Sequence, residues 1–457
     1  MRRLRAWLDA HPGKAGAIAG WYQQFASGLV TLAFIPLVEN KLGEGMAGLW
    51  FTFLSLSAVV SLTDFGVGFV LARQVAWTLG GDKPEAYDDF FNVEPGWDGV
   101  SDLYAACRRA FTQMVIVGGA MLVIIHELVL PLGKLNEFRS SESTLCFYVL
   151  GVSMLLMVKN RQFQALLEGA GRMHVARFIS GTGAFAGNLL ALAVLLIWQS
   201  VAVMALAIFA ASVIQLVVQR SEAIKVSEGK LSLEAAVPPG LQRALWKVAA
   251  PLGMVNTGSW LFKAVQVPLI GSILGPAMVT PFYVAQRIGG MLNAAVTQML
   301  SPQMPMFTRA LAAKDHRGAA DRIARTAKLL TVIFVLANLA FVLLSPIFAH
   351  YWRSGRPFLE TPALIIMGID FTLLSCSVIW AHFVLASGRN PFAIPTIVAG
   401  LLTLVGCVVL GPLMGMTGIA LSTLIAGLLT NYILAPVLGL RLLHRLRRSS
   451  ESVVAGT

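Results

Sequence analysis

Charge is scarce in this chain. Lys, Arg, Asp and Glu make up 13% of its 457 residues, where an average soluble domain carries about 25%. Hydrophobic residues make up 56%, and the mean hydropathy is +0.73. That balance excludes a water-soluble globular domain. The chain also lacks the GxxxxGK[ST] loop that cradles nucleotide phosphates, so nucleotide hydrolysis of that kind is excluded and no cofactor is expected. Its four cysteines, Cys107, Cys146, Cys376 and Cys407, show no CxxC or His-paired spacing and read as reduced, packed thiols. His126, His350 and His382 are isolated, without ligand spacing, so no metal site is expected.

What is present instead is a series of apolar stretches of roughly 20 residues, the length needed to cross a ~30 Å hydrocarbon core as helix. Helix is required because no water is available there to satisfy backbone N–H and C=O groups. Twelve spans are expected, beginning near Ala17, Met46, Ala110, Thr144, Val175, Val201, Leu245, Met278, Lys328, Pro362, Pro391 and Met416. The basic start, Met1 to Lys14, leads into a stretch too long for a signal peptide, with no clear small-x-small cleavage site. It reads as a retained first span.

The distribution of cations sets the orientation. One face, holding both termini and the even-to-odd loops, carries 28 of the 35 Lys and Arg residues. The other carries Lys41, Lys134, Arg139, Arg353 and Arg356, and Lys263 and Arg287 remain within spans. Both ends are therefore expected in the cytoplasm of a multi-pass protein of the bacterial inner membrane. The net charge of +12 is spread over every inner loop rather than gathered in one domain, which argues against nucleic-acid binding. Arg441, Arg445, Arg447 and Arg448 read as anchors at anionic headgroups. Trp21, Trp198, Tyr351 and Trp352 read as interfacial anchors.

The spans divide six and six about a polar connector. The expected organisation is an N-terminal six-helix lobe at 1–220, a cytoplasmic linker at 221–244, a C-terminal six-helix lobe at 245–440 and a basic tail at 441–457. An internal repeat supports it. With a shift of 232 residues, seven of 28 positions match between Gln24–Phe51 and Asn256–Tyr283, including Pro36 with Pro268, Leu42 with Leu274 and Gly43 with Gly275. An offset of six spans makes the repeat parallel, and transporters often place their substrate path at such a repeat interface. Pro36 and Pro268 each remove a helical hydrogen bond and are candidate gate hinges.

Three stretches carry a family resemblance. Gly48 to Thr52 continuing through Thr63, Asp64, Phe65, Gly66, Val67 and Gly68 looks like the first two spans of Wzx-type polysaccharide flippases, in the multidrug/oligosaccharidyl-lipid/polysaccharide exporter superfamily. Gln164 to Arg172, and Ile270 to Gly275 with Tyr283 to Ile288, are similar to that family as well. The span count, the six-plus-six parallel halves and the inner termini agree with it along most of the chain. The acidic loop from Gly80 to Asp102 departs from it. The resemblance implies a protein that turns a polyprenyl-diphosphate-linked oligosaccharide, a surface polysaccharide repeat unit, from the inner to the outer leaflet by alternating access. It implies membrane lipid and a lipid-linked substrate as partners, glycan polymerases as further partners, and no enzymatic step.

An anionic diphosphate-sugar headgroup crossing a low-dielectric slab needs a hydrated cleft with fixed cations. Ionisable groups at bilayer depth are costly and usually face a cavity or a partner. Lys263 in span seven and Arg287 in span eight are the first candidates, and Lys159 and Arg161 in span four the next. The alternative is that these cations pair with Asp64, Asp370 and Glu168 and hold helices together. Gln24, Ser27 and Thr31 line one face of span one, and Asn256, Ser259, Lys263 and Gln266 one face of span seven. Such groups suit sugar hydroxyls, or equally interhelical hydrogen bonds worth about 0.6 kcal/mol each. Asp64 and Asp370 are candidates for H+ or Na+ coupling, and Asp64 is also placed to pair with Arg73.

The competing function is a cation-coupled multidrug exporter of the same superfamily, for which an acidic cleft is expected. A membrane-embedded polymerase or ligase needs a long extracytoplasmic catalytic loop. The longest outer loops here, near Leu132–Ser143 and His350–Thr361, are short.

Overall fold

The computed structural model describes residues 12–80, 93–131, 133–300, 303–312, 315–352, 358–387 and 390–455. They form fourteen α-helices and no strand: α1 (Pro12–Ser57), α2 (Val67–Gly80), α3 (Trp97–Ile124), α4 (Ser141–Gly169), α5 (Met173–Trp198), α6 (Val201–Val226), α7 (Leu241–Lys263), α8 (Gln266–Ile273), α9 (Val279–Leu300), α10 (Gln303–Ala312), α11 (His316–Trp352), α12 (Thr361–Ala386), α13 (Ala393–Leu429) and α14 (Asn431–Ala455). Most of the acidic 80–102 loop, and outer Arg353 and Arg356, lie outside the described residues.

Eight stretches are long and apolar enough to cross a membrane, and two of them are folded back on themselves. In α1 the chain reverses at Gly43 (φ 78°, ψ 164°), a region open to glycine alone. The first leg runs parallel to α5, Gly16 lying by Met173 and Gln23 by Gly181. The second runs parallel to α4, from Phe53 against Phe147 to Asp64 beside Arg161. In α13 the reversal is at Gly415 (φ 60°, ψ −137°), after which Gly418 lies against Leu410, Ile419 against Gly411 and Ser422 against Gly406. Two reversals within eight stretches make ten legs. The helix pair α7–α8 and helix α9 complete the twelve expected crossings.

By internal packing the chain divides into two compact units, Met1–Thr257 with Gly275–Ala277, and Gly258–Leu274 with Met278–Thr457. The division falls inside α7, and close approaches explain why. A Cβ at Gly253 would stand 2.0 Å from the Phe65 ring, so the first part of α7 is seated on that ring, with Trp246 edge-on to it at 5.9 Å. A Cβ at Gly258 would stand 2.7 Å from the backbone of Thr396 and Ile397, so the last part of α7 lies on α13.

In the first unit, Ser140 and Ser143 cap α4 reciprocally, satisfying N–H groups that have no helical partner. Asp64 ends a 3-10 turn at Ala58–Asp64, and the chain then bends through two left-handed residues, Phe65 (φ 43°) and Gly66 (φ 74°), into α2. The segment between α6 and α7 is docked rather than loose. The Arg108 guanidinium on α3 donates to the carbonyls of Leu233 and Ala235, and Ser232 N–H donates to Ser101 Oγ at 3.0 Å. In the second unit, Phe307 of α10, Ile323 of α11, Phe383 of α12 and Leu446 of α14 form one apolar core. Helix α14 carries the basic segment onward as helix to Ala455. Cys107, Cys146, Cys376 and Cys407 are all unpaired thiols.

The repeat recognised in the sequence has a conformational counterpart. Gly43 and Gly275, 232 positions apart, both take positive φ (78° and 107°) and both end their span.

Candidate functional site

The second unit holds a cavity of about 520 Å³, its open mouth included, lined on the polar side by Lys263, Gln266, Gln286, Asn293, Asp370 and Thr423. Phe262, Met367, Phe371 and Leu374 supply its apolar walls. It sits at a break in span seven. The N–H groups of Ala264 and Val265 both turn to the Trp260 carbonyl, and Pro268, just beyond the break, has no N–H to donate to the helix. Free backbone groups at membrane depth must find partners, and side-chain amides supply them. Gln286 Nε2 donates to the Lys263 carbonyl, and Gln266 Nε2 reaches the Phe262 carbonyl at 3.4 Å. Gln266 also donates to Thr423 Oγ1 on α13. The discontinuity thus presents Lys263, whose side chain is exposed, at the cavity.

Asp370 on α12 lines the same cavity and is buried, with 6% exposure. It accepts a hydrogen bond from the Tyr432 hydroxyl at 2.7 Å. Among the described residues no ion pair within 4.0 Å joins Lys263 to Asp370. The cavity therefore holds one basic and one acidic side chain, set among carboxamides and a hydroxyl. Arg287 is on α9 beside this lining and not in it, half-buried, with its Nε buried and without a hydrogen-bond partner. Of these two candidates, Lys263 lines this cavity. Asp370 places an acidic group on the same lining as Lys263.

In the first unit the candidates form another cluster, around α4. Lys159 Nζ donates to Thr112 Oγ1 at 2.8 Å and to the Arg108 carbonyl at 3.4 Å. Arg161 stands between Asp64, with Nε at 3.9 Å from Oδ2, and Glu168, with Nη1 at 3.8 Å from Oε1. Asp64 Oδ1 accepts Gly68 N–H at 3.2 Å. Arg73, the partner expected for Asp64, lies over the rings of Phe69 and Trp77.

The remaining sequence candidates are dispersed. Gln24 is half-buried on the first leg of α1; the Ser27 side chain lies outside the described residues. Asn256 is exposed and Ser259 half-buried on α7, and neither lines the cavity. Pro36 lies within the helical part of α1, seven residues before the reversal at Gly43, whereas Pro268 follows the break at Ala264–Val265. Four groups at the cavity were not singled out from sequence: Gln286, Asn293, Thr423 and Tyr432. Gln286, Gly289, Gly290 and Asn293 share one face of α9 at i, i+3, i+4 and i+7, a polar-and-small stripe visible in the sequence.

No protein-family model matches this chain, and no curated protein matches it at significant similarity. Solved structures do. An inward-facing MATE-family multidrug resistance transporter of the MOP superfamily superposes with a TM-score of 0.67 at 15% identity, over 95% of this chain and 99% of that one. The lipid II flippase MurJ, in an inward closed conformation, superposes with a TM-score of 0.65 at 13% identity, over 96% and 90%. A MOP-superfamily transporter from Pyrococcus furiosus, described by the reverse polarity of its binding pocket, superposes with a TM-score of 0.64 at 16% identity, over 95% and 97%. Across nearly its whole length, the chain shares the helical fold of these solved transporter structures.

Proposed function

We propose that this protein flips a polyprenyl-diphosphate-linked oligosaccharide from the cytoplasmic to the outer leaflet of a bacterial inner membrane, by alternating access and without nucleotide hydrolysis. The observation that carries this reading is the cavity at the span-seven break. A lysine, three carboxamides and a hydroxyl stand there against aromatic and aliphatic walls. Carboxamides and hydroxyls both donate and accept, which suits sugar hydroxyls, and a lysine ammonium suits a phosphate oxygen. Arg161 and Lys159 add cations in the first unit. MurJ, which shares the fold, is a lipid II flippase.

The second reading is a cation-coupled multidrug exporter. Asp370 favours it, as a buried carboxylate on the same cavity, and the MATE-family transporters share the fold equally well. The two readings part in a cell lacking the protein. The flippase reading expects lipid-linked repeat units to accumulate on the cytoplasmic leaflet and surface glycan to fall. Units that still reach the outer leaflet, with only drug tolerance changed, establish the exporter.

A further inference from the structure

Arg161 is bracketed by two carboxylates and closes on neither. Its contacts to Asp64 and Glu168 are 3.9 and 3.8 Å, whereas charge-assisted N–H···O bonds settle at about 2.7–2.9 Å. Each acid has a second donor that stays when the guanidinium moves. Gly68 N–H serves Asp64 at 3.2 Å, and Gln164 Nε2 serves Glu168 at 2.8 Å. The arginine also has a track to lie in. A Cβ at Gly68 would stand 2.7 Å from Arg161 Cγ and 2.9 Å from its Nε, so the side chain runs along the α2 backbone where only glycine leaves room. About a third of that side chain is exposed.

We propose that Arg161 is an exchangeable guanidinium, held by Asp64 and Glu168 when no substrate is present and yielded to a diphosphate when one is. The two acids thereby set the selectivity of the first unit for densely charged phosphate groups. This rests on the lipid-diphosphate reading above and adds how that substrate is selected and released. A diphosphate presents several oxygens in the planar fork geometry a guanidinium prefers, and carries more charge than either carboxylate. It displaces them, whereas a neutral sugar or a single hydroxyl does not. When the diphosphate leaves, the acids retake the arginine and the unit is reset.

The test is binding of farnesyl diphosphate, with farnesol as the uncharged control, to the purified full-length protein by calorimetry. Wild type is expected to bind the diphosphate and R161A to lose it. E168Q removes one competitor and is expected to bind about two- to fivefold tighter, the range of a partly exposed ion pair. D64N/E168Q is expected to bind tighter still. G68A keeps every charge but blocks the track, and is expected to bind more weakly. Thermal melting of each variant shows that it is folded. Unchanged or weaker binding by both E168Q and D64N/E168Q overturns the exchange while leaving the flippase reading in place. Equal binding by wild type and R161A also overturns it alone. Absence of diphosphate binding by wild type overturns this inference and the lipid-diphosphate reading together.

Discussion

Tyr432 and Asp370 are tied by one hydrogen bond, the phenol donating to the carboxylate at 2.7 Å, and both side chains are at most 6% exposed. The tyrosine is on α14 and the acid on α12, so the bond joins two helices while fixing the acid at the edge of the cavity. A buried acceptor that loses its donor costs about 1–3 kcal/mol. Y432F is therefore expected to melt several degrees below wild type in detergent. D370N keeps an acceptor for the phenol and is expected to melt closer to wild type. Equal melting temperatures for Y432F and wild type would show that the bond contributes nothing.

The placement of the two intramembrane cations separates their expected effects. Lys263 lines the cavity and Arg287 does not. K263A is expected to reduce surface-glycan export at least tenfold with the protein still inserted, and R287A to reduce it far less. Export assays on membranes with matched protein levels check this, and a larger loss in R287A would move the substrate path off this cavity.

Gly43 and Gly275 make a matched pair for stability. Among the described residues, nothing beyond its own stretch of backbone lies within 4 Å of a Cβ built at Gly43, so G43A meets a backbone penalty alone. Its φ and ψ lie in a region of order 1–3 kcal/mol unfavourable for other residues. G43A and G275A are both expected to lower the melting temperature, since both glycines end a span with positive φ. A silent G43A would mean that the reversal at Gly43 relaxes freely.

Gly48 tests packing instead of backbone conformation. A Cβ there would stand 1.7 Å from the Pro276 carbonyl oxygen, and a backbone atom cannot swing aside as a side-chain tip can. Overpacking of this kind costs about 1–3 kcal/mol or more. G48A is expected to lower the yield of folded protein in the membrane, read as the fraction eluting as a single species. Wild-type yield and melting would contradict the contact.

Much of the fold was legible because the bilayer imposes simple rules. Apolar runs of one helix length located the crossings, and the Leu-Gly pairs at Leu42–Gly43 and Leu274–Gly275 marked two span ends that the structure places at positive φ. The bend at Phe65–Gly66 lay within a stretch quoted for its family resemblance, but its left-handed geometry was not read from it. The site was less legible. Lys263 and Asp370 stood out as charges in apolar sequence, yet their sharing of one cavity depends on α7 meeting α12, which no local pattern encodes. Gln286 was missed because its role, supplying a donor to the Lys263 carbonyl, exists only once span seven breaks. Arg161 was read as a cation facing substrate, with pairing to Asp64, Asp370 or Glu168 as the alternative, and the structure sets it between two of those acids. Its two acid neighbours come from α4 itself, at Glu168, and from 97 positions earlier, at Asp64.

Leaflet transfer in a defined bilayer tests the proposed function most directly. Purified protein is reconstituted in proteoliposomes carrying a fluorescent polyprenyl-diphosphate oligosaccharide, and dithionite quenching reports the labelled headgroups exposed outside. Wild-type vesicles are expected to equilibrate the label between leaflets, and K263A vesicles to behave as protein-free ones. Protein-free rates with wild type, alongside H+- or Na+-driven movement of a cationic drug in the same vesicles, would contradict the flippase assignment and establish the exporter.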